Sequence, residues 1–165
     1  MHAKNQQIKF DIKFEIFYVP LALFLLTLFT YWRTLAPSIF WGDGIELTTA
    51  SFLLGNAHPT GYPLFLLLGK CFTLIPIGSI AYRINLMCAA LVSSSVVIFY
   101  FFLRAVLSEL PAHFFPSRIY SSIVSFALAS ALAFAHTAWF HATTAEVYAL
   151  NLFLQNSILL CAVIL

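Results

Sequence analysis

The chain alternates long apolar runs with shorter polar stretches punctuated by Gly and Pro. After a polar, basic start over residues 1–13, the first apolar run extends from about Phe14 to Trp32. A polar stretch from Arg33 to Pro63 follows, then a short apolar run from Leu64 to Ile77, then "GSIAYRIN". A long run covers Leu86 to Val106, "LRAVLSELPAHFFPSR" connects, and a further run occupies Tyr120 to Ala135. "HTAWFHATTAEVY" is a second polar stretch, and a last apolar run begins at Ala149 and reaches Leu165. A membrane-spanning helix takes roughly 20 apolar residues. The pattern therefore predicts an all-α polytopic membrane protein with about four transmembrane helices, over residues 14–165.

The short run decides the topology. Leu64 to Ile77 is 14 residues with Lys70 at its centre. As a helix it covers about 21 Å at the usual rise per residue, against a hydrocarbon core of about 30 Å. Burying Lys70 at mid-bilayer costs at least ~2.5 kcal/mol. Pro63 and Pro76 bracket the run as helix start and stop. It is expected to lie on the membrane surface as an amphipathic helix with Lys70 turned to water. With the first span entering from the cytoplasm, 33–83 becomes one outer loop, 104–118 a cytoplasmic connector and 136–148 a second outer loop. Lys4, Lys9, Lys13, Arg104 and Arg118 then lie inside, against Arg33, Lys70 and Arg83 outside, the bias expected of cytoplasmic loops.

Composition supports this class. The chain is 62% hydrophobic and 8% charged, with a mean hydropathy of +0.94, whereas soluble domains carry about 25% charged residues. A net charge of +2 without a basic patch gives no sign of a nucleic-acid partner. Cys71, Cys88 and Cys161 stand isolated in apolar surroundings and read as small buried hydrophobes. The first run is long for a signal peptide, and Tyr31-Trp32-Arg33 is no small-residue cleavage site, so an uncleaved anchor is expected. Because "SILLCAVIL" has no polar flank, the chain reads as the N-terminal piece of something larger or a truncated gene.

Only six of 165 residues are acidic, and two of them, Asp43 and Glu46, fall within "WGDGIEL". "DGIE" fits a capping box, with Asp43 as N-cap and Glu46 reaching back, for a helix that ends near Gly55. "TTAE" offers Thr143 and Glu146 the same arrangement. Caps account for an acid at each helix start, but not for three acids sharing one face of the membrane. "NAHPTGYP" reads as a rigid turn in which His58 and Tyr62 are interfacial. Arg83 and Asn85 open a span; Arg83 either snorkels to headgroups or holds a lipid phosphate, a task Lys70 could share. A zinc site from His58, His136 and His141 has poor ligand spacing.

The stretches "TLAPSIFWGDGIELTTASFLLGNAHPTGYPLFLLLGK", "AYRINL" and "TAEVYALN", in that order, resemble the N-terminal region of the domain-of-unknown-function 2723 family. That family includes protein O-mannosyltransferase-like membrane proteins of the GT-C glycosyltransferase fold. The resemblance runs from about Thr34 to Asn151. It departs at Gly44 and Ile45, where the family has Ser and Gly, and at Thr60, where it has Pro. It implies a GT-C-like N-terminal part with two surface helices in the first outer loop. It also implies a loop-one acid, Asp43 with Glu46 beside it, and a second-loop acid, Glu146. Residues expected at the substrate are His58, Tyr62, Lys70, Arg83, Asn85 and Tyr148.

The implied reaction moves a sugar, expected to be mannose, from a polyprenyl-phosphate carrier to a Ser or Thr hydroxyl of an acceptor protein. Membrane lipids surround the site, which faces the periplasm or exterior in a bacterium and the lumen if the membrane is that of the ER. Asp43 would take the hydroxyl proton, and Arg83 or Lys70 would meet the leaving phosphate. Glu46 or Glu146 could orient a sugar or acceptor hydroxyl or hold a divalent metal; no other cofactor is indicated. The 165-residue piece by itself is expected to be inactive. The rival readings are a transporter or channel segment, which needs ionisable groups within spans, and an inactive structural module.

Overall fold

A computed structural model describes residues 14–111 and 117–165. The basic start with Lys4, Lys9 and Lys13, and residues 112–116 of the connector, lie outside the described residues. All regular structure among the described residues is helical. A π-helical turn (Phe14–Tyr18) leads into α1 (Val19–Arg33), followed by α2 (Gly44–Leu53), α3 (Pro63–Thr73), α4 (Ile80–Ser108), α5 (Arg118–Ala133), α6 (His136–Thr143) and α7 (Tyr148–Ile164).

Two helices are long and apolar enough to cross a membrane, Ile16–Arg33 and Ile80–Ser108. A third span results if α5 and α6, bent by 63° at their junction, act as one. The fourth expected span is helical as α7, a shorter apolar helix of 17 residues. The described residues thus form an all-helical structure in which two or three helices are long and apolar enough to cross a membrane.

Boundaries moved where a cap or a local bond outweighed the apolar pattern. α4 starts at Ile80, ahead of the expected Leu86, because Ser79 Oγ accepts the Tyr82 N–H at 3.1 Å. Ser117 does the same for α5, accepting the Tyr120 N–H at 3.2 Å. The stretch expected as a polar loop from His136 holds α6, whose Ala138 and Ala142 pack inward. α2 stops at Leu53, and Leu54, not Gly55, takes the left-handed conformation (φ 53°, ψ 42°).

α4 is the axis of the bundle and packs against α1, α3, α5, α6 and α7. Leu23, Tyr31, Cys88, Val92, Val96 and Tyr100 are completely buried around it. Polar bonds join helices where no water competes: Ser95 Oγ donates to Leu152 O at 2.9 Å, and Asn156 Nδ2 donates to Ser95 Oγ at 2.9 Å. At one end of the bundle Arg104 reaches Arg118 O at 2.9 Å. At the other end Ser79 Oγ donates to Pro37 O at 3.4 Å, so the excursion holding α2 and α3 leaves and returns at the same end. The loop after α1 also meets the end of α6 there, through Ala36 N–H to Thr143 O at 3.0 Å and Trp139 Nε1 to Thr34 Oγ1 at 3.1 Å.

Candidate active site

The three acids singled out in the sequence lie in the two segments that meet at this end of the bundle. Gly42 has φ +84°, a conformation that glycine adopts freely. A Cβ at Gly42 would lie 3.4 Å from Glu146 Oε1, and one at Gly44 would lie 3.5 Å from Ala145 O. The two glycines of "WGDG" therefore let the first loop lie flush on "TAEV".

Asp43 occupies the N-cap position of α2 but makes no capping hydrogen bond. Glu46 does not reach back either. Its carboxylate clamps His58, accepting the His58 backbone N–H at Oε1 (2.6 Å) and the ring Nδ1–H at Oε2 (2.7 Å). The capping box read in "DGIE" is thus replaced by a bond across twelve residues, because the 56–63 turn brings a backbone donor and a ring donor to one carboxylate. The second capping box fails as well. Thr143 ends α6 and donates to Trp139 O at 3.0 Å, while α7 begins only after Val147.

With Nδ1 committed to Glu46, the other ring nitrogen of His58 faces outward. Nε2 lies 3.2 Å from the Tyr62 hydroxyl and 3.8 Å from Asp43 Oδ2. Tyr62 itself holds a left-handed backbone (φ 47°, ψ 48°) at the start of α3, at a cost of about 1–3 kcal/mol for a residue with a side chain. The hydrogen bond with Glu46, joined by the charges of Glu46 and Asp43, raises the His58 pKa above the ordinary histidine value. The same bonds hold Glu46 below the ordinary carboxylate range. Glu146 behaves oppositely: it is 8% exposed, and burial, then the Asp43 charge, raise its pKa.

Arg83, Lys70 and Asn85 are engaged with main-chain carbonyls. Arg83 spends its guanidinium on the C-terminal turn of α3, donating to Thr73 O (2.6 Å), Ile77 O (2.7 Å) and Gly78 O (3.2 Å). Lys70 folds back on α2, donating to Phe52 O at 2.5 Å over the Phe52 ring. An 11-residue helix is about 16 Å long, so Tyr62 and the Arg83 contacts sit at opposite ends of α3. Asn85 is buried and donates to Ala36 O (2.8 Å) and Ser38 O (3.2 Å), fixing the loop that leads to Asp43. Tyr148 is exposed and lies 4.7 Å from the His141 ring. Among the described residues no three His, Cys, Asp or Glu side chains are arranged to hold a metal ion. Within that set His58, His136 and His141 are not gathered, and no described side chains complete a divalent-metal ligand set at Glu46 or Glu146.

A groove of about 410 Å³ opens between the N-terminal ends of α3 and α7. Its walls include Leu64, Phe65 and Leu154, and Tyr62, Tyr148 and Asn151 supply its polar atoms. It begins where the polar cluster stops, since Tyr62 belongs to both and Val147 follows Glu146. Along the chain His58, Glu46 and Tyr62 stand as separate candidates; their mutual bonds leave no local signal, and the contact with Glu146 leaves only the pair of glycines flanking Asp43.

The model of the Protein O-mannosyl-transferase TMEM260 N-terminal domain family matches residues 43–165, from Asp43 to the last residue. The chain belongs to this family. It is 50% identical over 68 residues to Protein O-mannosyl-transferase TMEM260 of Mus musculus, covering 41% of this chain and 10% of that protein. It is 37% identical over 81 residues to Protein O-mannosyl-transferase tmem260 of Dictyostelium discoideum, covering 47% and 10%. The chain thus matches about a tenth of the length of these curated relatives. No solved structure gives a significant match. The expected O-mannosyltransferase-like N-terminal portion is confirmed by these matches.

Proposed function

We propose that this chain is the N-terminal part of a GT-C membrane glycosyltransferase. It moves mannose from a polyprenyl-phosphate donor to a Ser or Thr hydroxyl of an acceptor protein, at the non-cytoplasmic face. α2 and α3 lie along that face as surface helices. The observation that carries the reading is the meeting of the two loops: Gly42 backs onto Glu146 while Asp43 faces His58. Scarce acids from distant segments share one mouth, next to an apolar groove.

In this reading the 410 Å³ groove receives the first isoprene units of the donor, with Tyr148 at its rim. The phosphate rests at the polar end. His58, held charged to a higher pH than an ordinary histidine, supplies positive charge there. Arg83 and Lys70, occupied along α3, hold the helix that carries Tyr62. Asp43, half-exposed, accepts the proton of the attacking hydroxyl as the new bond to the anomeric carbon forms. A carboxylate is a weak base, so Asp43 works by position and takes the proton late in the attack. A single displacement with one base inverts the anomeric centre.

The test is Asp43→Asn in the full-length protein, assayed for mannose transfer to an acceptor peptide. Asp43 makes no capping bond, and Asn is as good at the N-cap as Asp, so the fold is kept. A loss of about 10²-fold or more is expected for a general base. Transfer at the wild-type rate refutes the reading.

A further inference from the structure

Glu146 is a carboxyl with nothing to hold. It is 8% exposed, and no hydrogen bond or ion pair to its carboxyl oxygens is present among the described residues, whereas Glu46 has two bonds to His58. The titratable and charged groups around it offer no compensation. From the loop before α2 comes the Asp43 carboxylate, of like charge. From α4 comes Cys88, whose thiol donates at 3.8 Å to the Glu146 main-chain carbonyl and not to its side chain. The first residue of α7, Tyr148, lies against His141. His58 is held by Glu46, while Lys70 and Arg83 are bonded to main-chain carbonyls of Phe52, Thr73, Ile77 and Gly78. A buried carboxylate without a cation is costly and takes up a proton instead.

We infer that Glu146 is kept as a neutral carboxylic acid that donates its proton to the phosphate leaving the sugar. The inference rests on the transferase reading above and gives Glu146 a role distinct from that of Asp43. The donor is a phosphodiester with one negative charge, which an ionised Glu146 beside Asp43 would repel; a neutral carboxyl offers an O–H instead. In the step, the acceptor oxygen forms its bond to the anomeric carbon and passes its proton to Asp43. The bond from the anomeric carbon to the phosphate oxygen breaks, and that oxygen takes the proton of Glu146. Solvent then carries the Asp43 proton back to Glu146, so the net reaction moves one proton from acceptor hydroxyl to phosphate. A phosphate monoester has its second pKa near ~6, so the leaving oxygen takes up a proton readily, and burial with the Asp43 charge holds the Glu146 proton on above the ordinary carboxylate range. Gly42 makes the approach possible, since it places no side chain over the carboxyl.

Two measurements test this. Infrared difference spectra of the chain in lipid bilayers at neutral pH should contain a carboxylic-acid carbonyl band that Glu146→Gln removes and Asp43→Asn leaves. Absence of that band in the wild type overturns the inference whatever the fate of the transferase reading. In the full-length enzyme, Glu146→Gln should lower kcat by about 10²-fold, the scale of general-acid catalysis, and abolish the alkaline limb of the pH profile, with Glu146→Asp restoring part of that limb. A Gln variant that stays folded, by Cys88 burial, and keeps both rate and alkaline limb overturns the inference. If Asp43→Asn still abolishes transfer in that case, the transferase reading stands.

Discussion

Gly69 is the closest helix contact in the loop region, and replacing it tests the placement of the whole α2–α3 hairpin. A methyl at position 69 would collide with Ser51 Oγ, sit 2.8 Å from Ser51 Cβ and press on Ile84 Cδ1 at 3.2 Å. Ser51 is fully buried on α2 and Ile84 on α4, so neither can swing into open space. Over-packing a tight core costs about 1–3 kcal/mol, and for a chain of this size 1 kcal/mol moves Tm by about 2–4 °C. Gly69→Ala should therefore lower Tm by roughly 2–12 °C on those two scales. Cys88 provides the probe, being completely buried while Cys71 and Cys161 are exposed. With Cys71 and Cys161 changed to Ser, reaction of Cys88 with a fluorogenic maleimide during heating in micelles reports unfolding. Ser51 Oγ has no hydrogen-bond partner among the described residues, so Ser51→Ala alone should be neutral or stabilising. In Gly69→Ala it should recover only part of the loss, since Ser51 Cβ still crowds the new methyl, and Ser51→Gly should recover more. A Gly69→Ala variant that melts within about a degree of wild type, far below the range above, would show that α2 and α3 are not packed at this distance.

Two further outcomes follow from the polar contacts. Glu46→Gln should bring the His58 titration down toward 6.5, read from histidine NMR shifts, and an unchanged midpoint would refute the clamp. The sign also fixes a stability window. The raised His58 pKa contributes stability that is full below 6.5 and lost as pH rises through its folded value; the lowered Glu46 pKa contributes stability that is full above 4.5 and lost as pH falls through its own. The clamp is therefore strongest between 4.5 and 6.5. Arg83→Ala should lower Tm, and Arg83→Lys should fail to restore it, because one ammonium cannot span the three carbonyls the guanidinium reaches. Full restoration by Lys would point to simple charge anchoring.

Much of the helical scaffold was legible in the chain because its causes are local. Apolar runs gave the long helices, and Pro63 set the start of α3 through its fixed φ. Family membership was legible too, because the motifs around Asp43, His58, Arg83 and Glu146 keep their order along the sequence. α6 was missed because its His and Thr residues hid an inward face of small Ala side chains. The partner of Glu46 was not legible at all: an acid three residues past Asp43 fits a helix cap, and only the returning 56–63 turn offers it two donors at once. Arg83 likewise looked free for a phosphate until α3 ended with its carbonyls beside the guanidinium.

The sequence by itself determined which segments become helices and which few residues carry charge, since hydrophobicity, proline and helix caps act over a handful of neighbours. Tertiary structure alone decided which of those charges are satisfied. Glu46 gained a ring and a backbone donor, Arg83 gained three carbonyls, and Glu146 was set against a glycine loop with no ion pair to it among the described residues. Burial and partnership depend on atoms tens of residues apart, and those separations exist only once the bundle has closed.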